Sequence, residues 1–127
     1  MNRARIVIAD NHANVLDVLA HLLSHLDVDV TCCTSGTEVL ETIQGGGVDA
    51  VITDVEMPVM GGVALTRALK EEKPELPVIM MSSYAGKDME EEAVSSGAIG
   101  LISKPFRLDA IASLLAGAGV QFTKPNK

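Results

Sequence analysis

The sequence predicts an α/β fold, with one doubly wound parallel sheet of five strands and helices packed on both of its faces. Short aliphatic runs alternate with amphipathic segments along the whole chain, which is the pattern of βα units. The chain has 127 residues, which suits one domain, because a single hydrophobic core commonly serves roughly 100 to 200 residues. We expect the strand order 2-1-3-4-5, which places strands one and three at the centre of the sheet.

Five short aliphatic segments, each bounded by polar or turn residues, are the predicted strands. They are Ile6 to Ala9, Val28 to Cys33, Ala50 to Thr53, Val78 to Met81 and Ile99 to Ser103. Continuous aliphatic runs of this kind are typical of strands that helices cover on both faces.

Five further segments have helical periodicity. In the first, apolar residues recur at three- and four-residue steps, and we expect this stripe to face the sheet. Its members are Val15, Val18, Leu19, Leu22, Leu23 and Leu26. The second begins with the capping-box pair Ser35 and Glu38 and ends near Gln44, where three glycines follow. The other predicted helices are Val63 to Glu72, Met89 to Ser96 and Leu108 to Ala116. Residues 1–117 form the predicted domain, and residues 118–127 a C-terminal tail or the start of a linker.

The charge balance limits the partners. The formal net charge is −7, which argues against nucleic acid and anionic lipid, since both are bound through excess Lys and Arg. No apolar stretch approaches the roughly 20 residues of a membrane span. The cysteines Cys32 and Cys33 are adjacent and form no CxxC motif, which indicates a reducing compartment. We therefore expect a cytoplasmic protein without a membrane partner.

Polar residues stand at the carboxyl ends of four predicted strands, where ligands bind in an open parallel sheet. They are Asp10, Asp54, Ser82 and Lys104. Carboxylate oxygens suit Mg²⁺, which shares its ligands with phosphate groups. The carboxylate of Asp54 can attack phosphorus to form an acyl phosphate, while Lys104 and Ser82 bind the oxygens of the transferred group. This combination predicts phosphoryl chemistry assisted by a divalent cation.

Four segments, in the order of the predicted strands, resemble response-regulator receiver domains of two-component signal transduction, the family that includes the chemotaxis regulators. They are residues 5–12 (RIVIADNH), 51–62 (VITDVEMPVMGG), 80–83 (MMSS) and 96–106 (SGAIGLISKPF). The resemblance covers residues 5–116 and implies a flavodoxin-like fold. It also implies a regulatory domain, not a metabolic enzyme, that promotes its own phosphoryl transfer and hydrolysis.

The same resemblance implies a role for each site residue. Asp54 is the phosphoacceptor, supplied by a histidine kinase or a phosphotransfer protein, Lys104 binds the phosphoryl group, and Ser82 is the switch hydroxyl. The implied Mg²⁺ ligands are Asp10, Asn11, Asp54 and the backbone carbonyl of Glu56. The implied output is an unidentified protein, a fused output domain or a phosphorylation-dependent homodimer. The Lys104-Pro105 bond is a candidate cis peptide, because only X-Pro bonds adopt cis readily.

Two positions depart from the family pattern. Asn11 stands where receivers carry a second acidic residue, so we expect Mg²⁺ binding weaker by about 1 to 3 kcal/mol. Leu101 stands where they carry an aromatic residue that turns inward when the domain switches. Tyr84 either substitutes for that aromatic group or is a partly buried loop residue. His12 is expected to begin the first helix, and the Glu56 side chain to steer or repel hydrolytic water.

Two other functions are considered. A degenerate receiver that acts as a constitutive protein-binding module would explain Asn11 and Leu101, although Asp54, Ser82 and Lys104 are all retained. A flavin-binding doubly wound domain is disfavoured, because the loop after strand one lacks a Ser/Thr/Gly run to hold a phosphate.

Overall fold

The computed structural model describes residues 3–122, and a five-stranded parallel sheet forms its centre. The strands are β1 (Arg5–Ala9), β2 (Asp29–Cys33), β3 (Ala50–Asp54), β4 (Val78–Ser82) and β5 (Gly100–Ser103). They pair in the order β2-β1-β3-β4-β5, and every pairing is parallel. The predicted fold class and strand order are therefore confirmed.

Helices cover both faces of the sheet. They are α1 (Ala13–Leu23), α2 (Gly36–Gln44), α3 (Gly62–Glu72), α4 (Lys87–Ser96) and α5 (Leu108–Gly117), with a 3₁₀ turn at Ser24–Leu26 after α1. The last four agree with their predicted bounds to within two residues. No helix in residues 3–122 has the length and hydropathy needed to cross a membrane.

The core lies on the two faces of the sheet, because alternate residues of a strand point to opposite sides. Along β1, Ile6 and Ile8 pack into a cluster with α1 and α5, while Val7 and Ala9 pack into a second cluster with α2 and α3. β1 and β3 lie between these clusters and are almost entirely buried. The carboxyl ends of the two strands are therefore held rigidly side by side.

The predicted sheet-facing stripe of α1 is wrong in part. The buried residues are Leu16, Leu19, Leu23 and Leu26. Val18, which the periodicity assigned to the sheet, is 53% exposed. The helix has apolar residues around more of its circumference than one face requires, so spacing alone did not distinguish the inward stripe from a second apolar stripe.

The start of α2 has the predicted capping pair, Ser35 and Glu38, but the Glu38 carboxylate has a different hydrogen-bond partner from the one expected. The Ser35 hydroxyl accepts a hydrogen bond from the Glu38 backbone amide at 3.2 Å. The Glu38 carboxylate accepts from the backbone amide of Thr34 at 2.7 Å, not from that of Ser35. After the helix, Gly46 and Gly47 adopt φ values of +80° and +78°, which glycine accepts without strain.

The end of the described chain packs onto the core. Beyond α5, Val120 is buried and Phe122 is partly buried against the cluster formed with α1 and α5. Residues 123–127 of the predicted tail lie outside the described residues. A boundary between domain and tail at residue 117 stays a prediction.

Candidate functional site

The four polar residues expected at the strand ends lie together at the carboxyl edge of the sheet. Asp10 follows β1 and Lys104 follows β5, whereas Asp54 and Ser82 are the final residues of β3 and β4. The strands of Asp54 and Ser82 are thus one residue longer than predicted. Parallel pairing brings these ends into line, and the backbone amide of Lys104 donates to the carbonyl of Ser82 at 3.0 Å.

Lys104 joins the two aspartates. Its ammonium nitrogen lies 2.9 Å from Oδ2 of Asp10 and 3.2 Å from Oδ1 of Asp54. Both carboxylates are buried, Asp10 completely and Asp54 with 3% of its surface exposed. Two buried carboxylates repel each other, and the Lys104 ammonium between them offsets that repulsion. The edge of the sheet is therefore built to hold positive charge between Asp10 and Asp54.

The surroundings shift the pKa of Asp54 and of Lys104. Burial, followed by the charge of Asp10, raises the pKa of Asp54 above its ordinary value, while Lys104 and the Glu56 backbone amide oppose the rise. For Lys104, burial lowers the pKa, but the hydrogen bond to Asp10 and the charges of both aspartates outweigh it and the net shift is upward. Lys104 therefore stays protonated at neutral pH.

His12 adds a contact that the sequence did not predict. It begins α1 as its N-cap residue, as expected. Its backbone amide donates to Oδ1 of Asp10 at 2.9 Å, and its ring Nδ1 lies 3.1 Å from the same oxygen. Within residues 3–122, the hydrogen bonds to the Asp10 carboxylate thus come from His12 on Oδ1 and from Lys104 on Oδ2.

Ser82 ends β4, between β3 and β5, and we call the site formed by Asp10, Asp54, Ser82 and Lys104 the polar pocket. Its side chain is fully buried, and its hydroxyl oxygen accepts a hydrogen bond from the Tyr84 backbone amide at 2.9 Å. The hydroxyl hydrogen is thereby left to be donated to another acceptor. Tyr84 itself is 77% exposed, so it is not the partly buried loop residue that was one of its two expected roles.

Gly62 permits the close approach of α3 to β3. A Cβ atom at this position would lie 2.5 Å from the backbone oxygen of Asp54 and 2.9 Å from the Cα of Val55. The loop before it contains Val59 at φ +70°, with the backbone amide of Met60 donating to the carbonyl of Pro58 at 2.7 Å. The chain therefore turns back sharply beneath Asp54, and only glycine fits at the first residue of α3.

The family model of the response regulator receiver domain matches residues 6–116. The chain belongs to this family. The DNA-binding transcriptional regulator NtrC of Escherichia coli (strain K12) is 31% identical over 118 residues, which cover 93% of this chain and 25% of NtrC. The transcriptional regulatory protein TdiR of Thauera aromatica is 33% identical over 119 residues, which cover 91% of this chain and 52% of TdiR. This receiver domain thus spans a quarter to about half of the length of these relatives.

Solved receiver structures have the same fold. A response regulator receiver domain protein of Clostridium thermocellum has a TM-score of 0.84 at 26% identity, over 91% of this chain and 93% of that one. The chemotaxis response regulator CheY4 of Vibrio cholerae has a TM-score of 0.82 at 24% identity, over 92% and 99%. The chain is therefore a flavodoxin-like receiver domain of a two-component response regulator, which is a regulatory domain.

The two departures from the receiver pattern have clear positions in the structure. Asn11 is exposed and directly follows the buried Asp10 in the chain. Leu101 is partly buried against a small cluster that includes Met80 and Ala93, between α4 and the sheet. The place that an aromatic side chain would take in other receivers is thus occupied by a smaller aliphatic one. The Lys104-Pro105 peptide bond is cis, as the sequence suggested.

The donor atoms of this receiver fit a hard divalent cation. Asp10 and Asp54 offer carboxylate oxygens around a point where the Lys104 ammonium already lies, and oxygen is the donor that Mg²⁺ prefers. Within residues 3–122, no three side chains of His, Cys, Asp or Glu converge as a ready-made metal site. Binding therefore needs additional oxygens, from Asn11, a backbone carbonyl or water.

An apolar groove borders this pocket and was missed by the sequence reasoning. It has a volume of about 670 Å³ and includes the outward stripe of α1, the Lys104 side chain and the loop before α5. Its apolar residues are Val15, Val18, Leu22, Pro105 and Phe106. The sequence of α1 did indicate such a groove. A helix with two apolar stripes packs one of them against the sheet and needs another surface to bury the second.

Proposed function

We propose that this receiver domain takes up a phosphoryl group on Asp54 and switches a partner-binding surface in response. The observation that carries the proposal is the single ammonium of Lys104 bound to both buried carboxylates, at 2.9 Å and 3.2 Å. A nucleophilic carboxylate beside a fixed cation is what the transfer of a charged phosphoryl group requires, because the cation stabilises charge that spreads over the phosphoryl oxygens.

The transfer step can be written for this chain's own residues. A carboxylate oxygen of Asp54 attacks phosphorus, the bond to the donor nitrogen or oxygen breaks, and the donor leaves with the bonding electron pair. Lys104 then pairs with a phosphoryl oxygen, and Ser82 donates its hydroxyl hydrogen to another. When bound by Asp10, Asn11, Asp54 and the backbone carbonyl of Glu56, Mg²⁺ supplies further positive charge to the phosphoryl oxygens.

The new charge on Asp54 is the signal. A phosphoryl group adds negative charge and acceptor oxygens at the end of β3, beside the Ser82 hydroxyl and the loop that leads to α4. Pulling that hydroxyl toward the phosphoryl group moves the loop and the surface beside it. The output that reads this surface is a fused domain, a separate protein or a second copy of the chain. Both these outputs and a cytoplasmic location are inferred from membership of the receiver family.

The donor in this proposal is a histidine kinase or a phosphotransfer protein that docks on the apolar groove. The groove borders Lys104, so a partner seated on it presents its phosphohistidine to Asp54. Val18 is the test position, because it is 53% exposed and belongs to none of the core clusters within residues 3–122. Val18→Asp is expected to slow transfer from a phosphorylated donor protein at least tenfold while leaving uptake from acetyl phosphate unchanged.

A matched control strengthens that test. Val94 on α4 is 57% exposed and lies outside the groove, so Val94→Asp adds the same charge at a distant surface. The donor is a purified histidine kinase or phosphotransfer protein already shown to phosphorylate the wild type. Equal transfer rates for both variants would remove the groove from the proposal without affecting the role of Asp54.

The main test is the intact mass after incubation with acetyl phosphate, with and without Mg²⁺. The wild type is expected to gain one phosphoryl group in a Mg²⁺-dependent manner, and Asp54→Ala to gain none. Asp88→Asn, which changes an exposed aspartate at the start of α4, is the control and is expected to behave as the wild type.

A second candidate function is a constitutive protein-binding module that has kept the receiver fold. The exposed, uncharged Asn11 and the aliphatic Leu101 favour it, since one weakens cation binding and the other removes the usual aromatic group. The two functions separate in the mass experiment. No gain in mass at any Mg²⁺ concentration would favour the binding module over the phosphoacceptor.

A further inference from the structure

The loop between β3 and α3 carries an exposed apolar tip, formed by Pro58 and Val59. Both residues are exposed, and Val59 is fully so, at 105% of its reference surface. On either side of the tip, Met57 is buried and Met60 is partly buried in the cluster formed with α2 and α3. The tip therefore projects into solvent from a loop that is anchored in the core on both sides of it.

Val59 lies at the centre of a tight turn. Its φ is +70°, and the Met60 backbone amide donates to the Pro58 carbonyl at 2.7 Å. A positive φ with a hydrogen bond from residue i+2 to residue i is typical of the classic γ-turn, which is rare and strained. A β-branched residue is a poor choice for this conformation, which glycine and asparagine adopt at lower cost. Valine therefore lowers the stability of the turn, and its exposed side chain provides no packing that offsets the loss.

A residue that strains the backbone without packing in the core indicates a role outside the fold, since such strain is concentrated at functional sites. The loop is closed directly beside Asp54. The Gly62 amide donates to the Val55 carbonyl at 2.8 Å, and a Cβ atom on Gly62 would lie 2.5 Å from the Asp54 backbone oxygen. The strained tip thus belongs to the loop that starts and ends at the phosphoacceptor strand.

The tip and the apolar groove lie over opposite faces of the sheet. Met57 and Met60 anchor the loop on the face covered by α2 and α3. The groove runs along α1, which packs on the other face. Asp54 lies at the edge of the sheet between these two apolar surfaces, so a protein that contacts both of them is centred over its carboxylate.

We propose that Pro58 and Val59 form a docking contact for the protein that donates the phosphoryl group. This inference rests on the proposed function and goes beyond it by naming a second contact, across Asp54 from the groove. A donor protein has to bring its phosphorus to the Asp54 carboxylate, so its surface covers the loop that begins at the next residue. Because the tip is uncharged and apolar, the surface that fits it is an apolar patch beside the phosphohistidine of the donor.

The experiment compares two donors on the full chain. One is a purified histidine kinase or phosphotransfer protein already shown to phosphorylate the wild type, and the other is acetyl phosphate, which has no apolar surface to place on the tip. Val59→Asn keeps a residue that accepts a positive φ but removes the apolar side chain, whereas Val59→Ile keeps a β-branched apolar one. Val94→Asn makes the same exchange at an exposed valine of α4 and is the control. Transfer rates over a range of donor concentrations give kcat and KM, and urea unfolding gives the stability.

For Val59→Asn, KM for the donor protein is expected to rise about tenfold, the effect of losing the burial of one apolar side chain. The kcat value and the uptake from acetyl phosphate should stay unchanged, and the urea midpoint should rise because the strain of the turn is relieved. Val59→Ile and Val94→Asn are expected to accept the phosphoryl group from the donor protein as the wild type does.

Equal KM values for the wild type and Val59→Asn would overturn the inference. An equal loss of uptake from acetyl phosphate would also overturn it, because the substitution would then act on the site itself. A lower urea midpoint in Val59→Asn would show that Val59 stabilises the fold and would remove the reason for a docking role. None of these results affects Asp54 as the phosphoacceptor. If the wild type takes up no phosphoryl group from either donor, the docking contact and the proposed function both fail.

Discussion

The two sides of the pocket are built differently. Asp10, Asp54 and Lys104 form what we call the fixed side, because both carboxylates are held by contacts with the Lys104 ammonium. Ser82 ends β4, between β3 and β5, and with the exposed loop that follows it forms what we call the β4 side. Its hydroxyl accepts one backbone hydrogen bond, from Tyr84. The comparison shows that the two carboxylates and the ammonium hold one another in place, while the Ser82 hydroxyl is followed directly by an exposed loop.

This difference follows from the elements that carry the residues. Asp10 and Asp54 lie at the ends of β1 and β3, each of which is hydrogen-bonded to a strand on both sides. Lys104 follows the edge strand β5, and its ammonium is held by the two carboxylates. The chain after Ser82 is instead exposed from residue 83 to residue 88. Exposed loops with few buried contacts open at low free energy, so the β4 side is the part of the site that can change shape.

The largest expected effect tests the fixed side. Lys104→Met removes the cation that pairs with both carboxylates, and we expect the rate of phosphoryl uptake from acetyl phosphate to fall about 100-fold to 1,000-fold. The same change leaves two buried carboxylates without a partner, so urea unfolding should show a clear loss of stability. Lys87→Met, at an exposed lysine, is the control. A fall of less than tenfold would mean that Lys104 has no direct part in transfer.

The next largest effect concerns Asn11, which directly follows Asp10 of the fixed side. Asn11→Asp restores a charged ligand, and we expect Mg²⁺ to bind more tightly by about 1 to 3 kcal/mol, or roughly 5-fold to 150-fold in Kd. Calorimetric titration of the wild type and the variant provides the measurement. Equal affinities would show that the exposed side chain at position 11 does not reach the ion.

A change at Ser82, on the β4 side, should give a smaller effect. Ser82→Ala removes one hydrogen bond from an uncharged donor to the phosphoryl group, whereas Lys104→Met removes a full positive charge, so we expect uptake to slow by only about tenfold. Ser83→Ala, at the neighbouring exposed serine, should leave the rate unchanged. The comparison between the two sides fails if Ser82→Ala slows uptake as much as Lys104→Met.

The smallest effect is a pH dependence of stability in metal-free protein. Because burial and the charge of Asp10 raise the pKa of Asp54 above 3.8, the folded state binds more protons than the unfolded state just above that pH. The free energy of unfolding contributed by Asp54 therefore falls as pH rises through the folded pKa. Asp54→Asn should gain stability relative to the wild type between pH 4 and pH 7, as measured by urea unfolding in a metal chelator. A constant difference would contradict the raised pKa.

The sheet and the set of residues at its edge could be predicted from the sequence, because aliphatic runs locate strands and parallel strands end at one edge. The direct contacts could not. The contact of the His12 ring with Asp10 depends on a side-chain rotamer. The hydrogen bond from the Thr34 backbone amide to the Glu38 carboxylate depends on local backbone geometry. The exposure of Val18 depends on how α1 is rotated about its axis against the sheet. Successive side chains of a helix point only about 100° apart, so a small rotation decides which of them face the sheet.

Gly62 has a consequence for how this site can evolve. It takes no part in phosphoryl chemistry, yet the backbone beneath Asp54 leaves no space for any side chain at its position. A substitution there would shift the start of α3 or the end of β3 and so displace Asp54. Drift toward a degenerate receiver can therefore begin at this glycine as readily as at the aspartate, with every charged residue of the pocket still in the sequence.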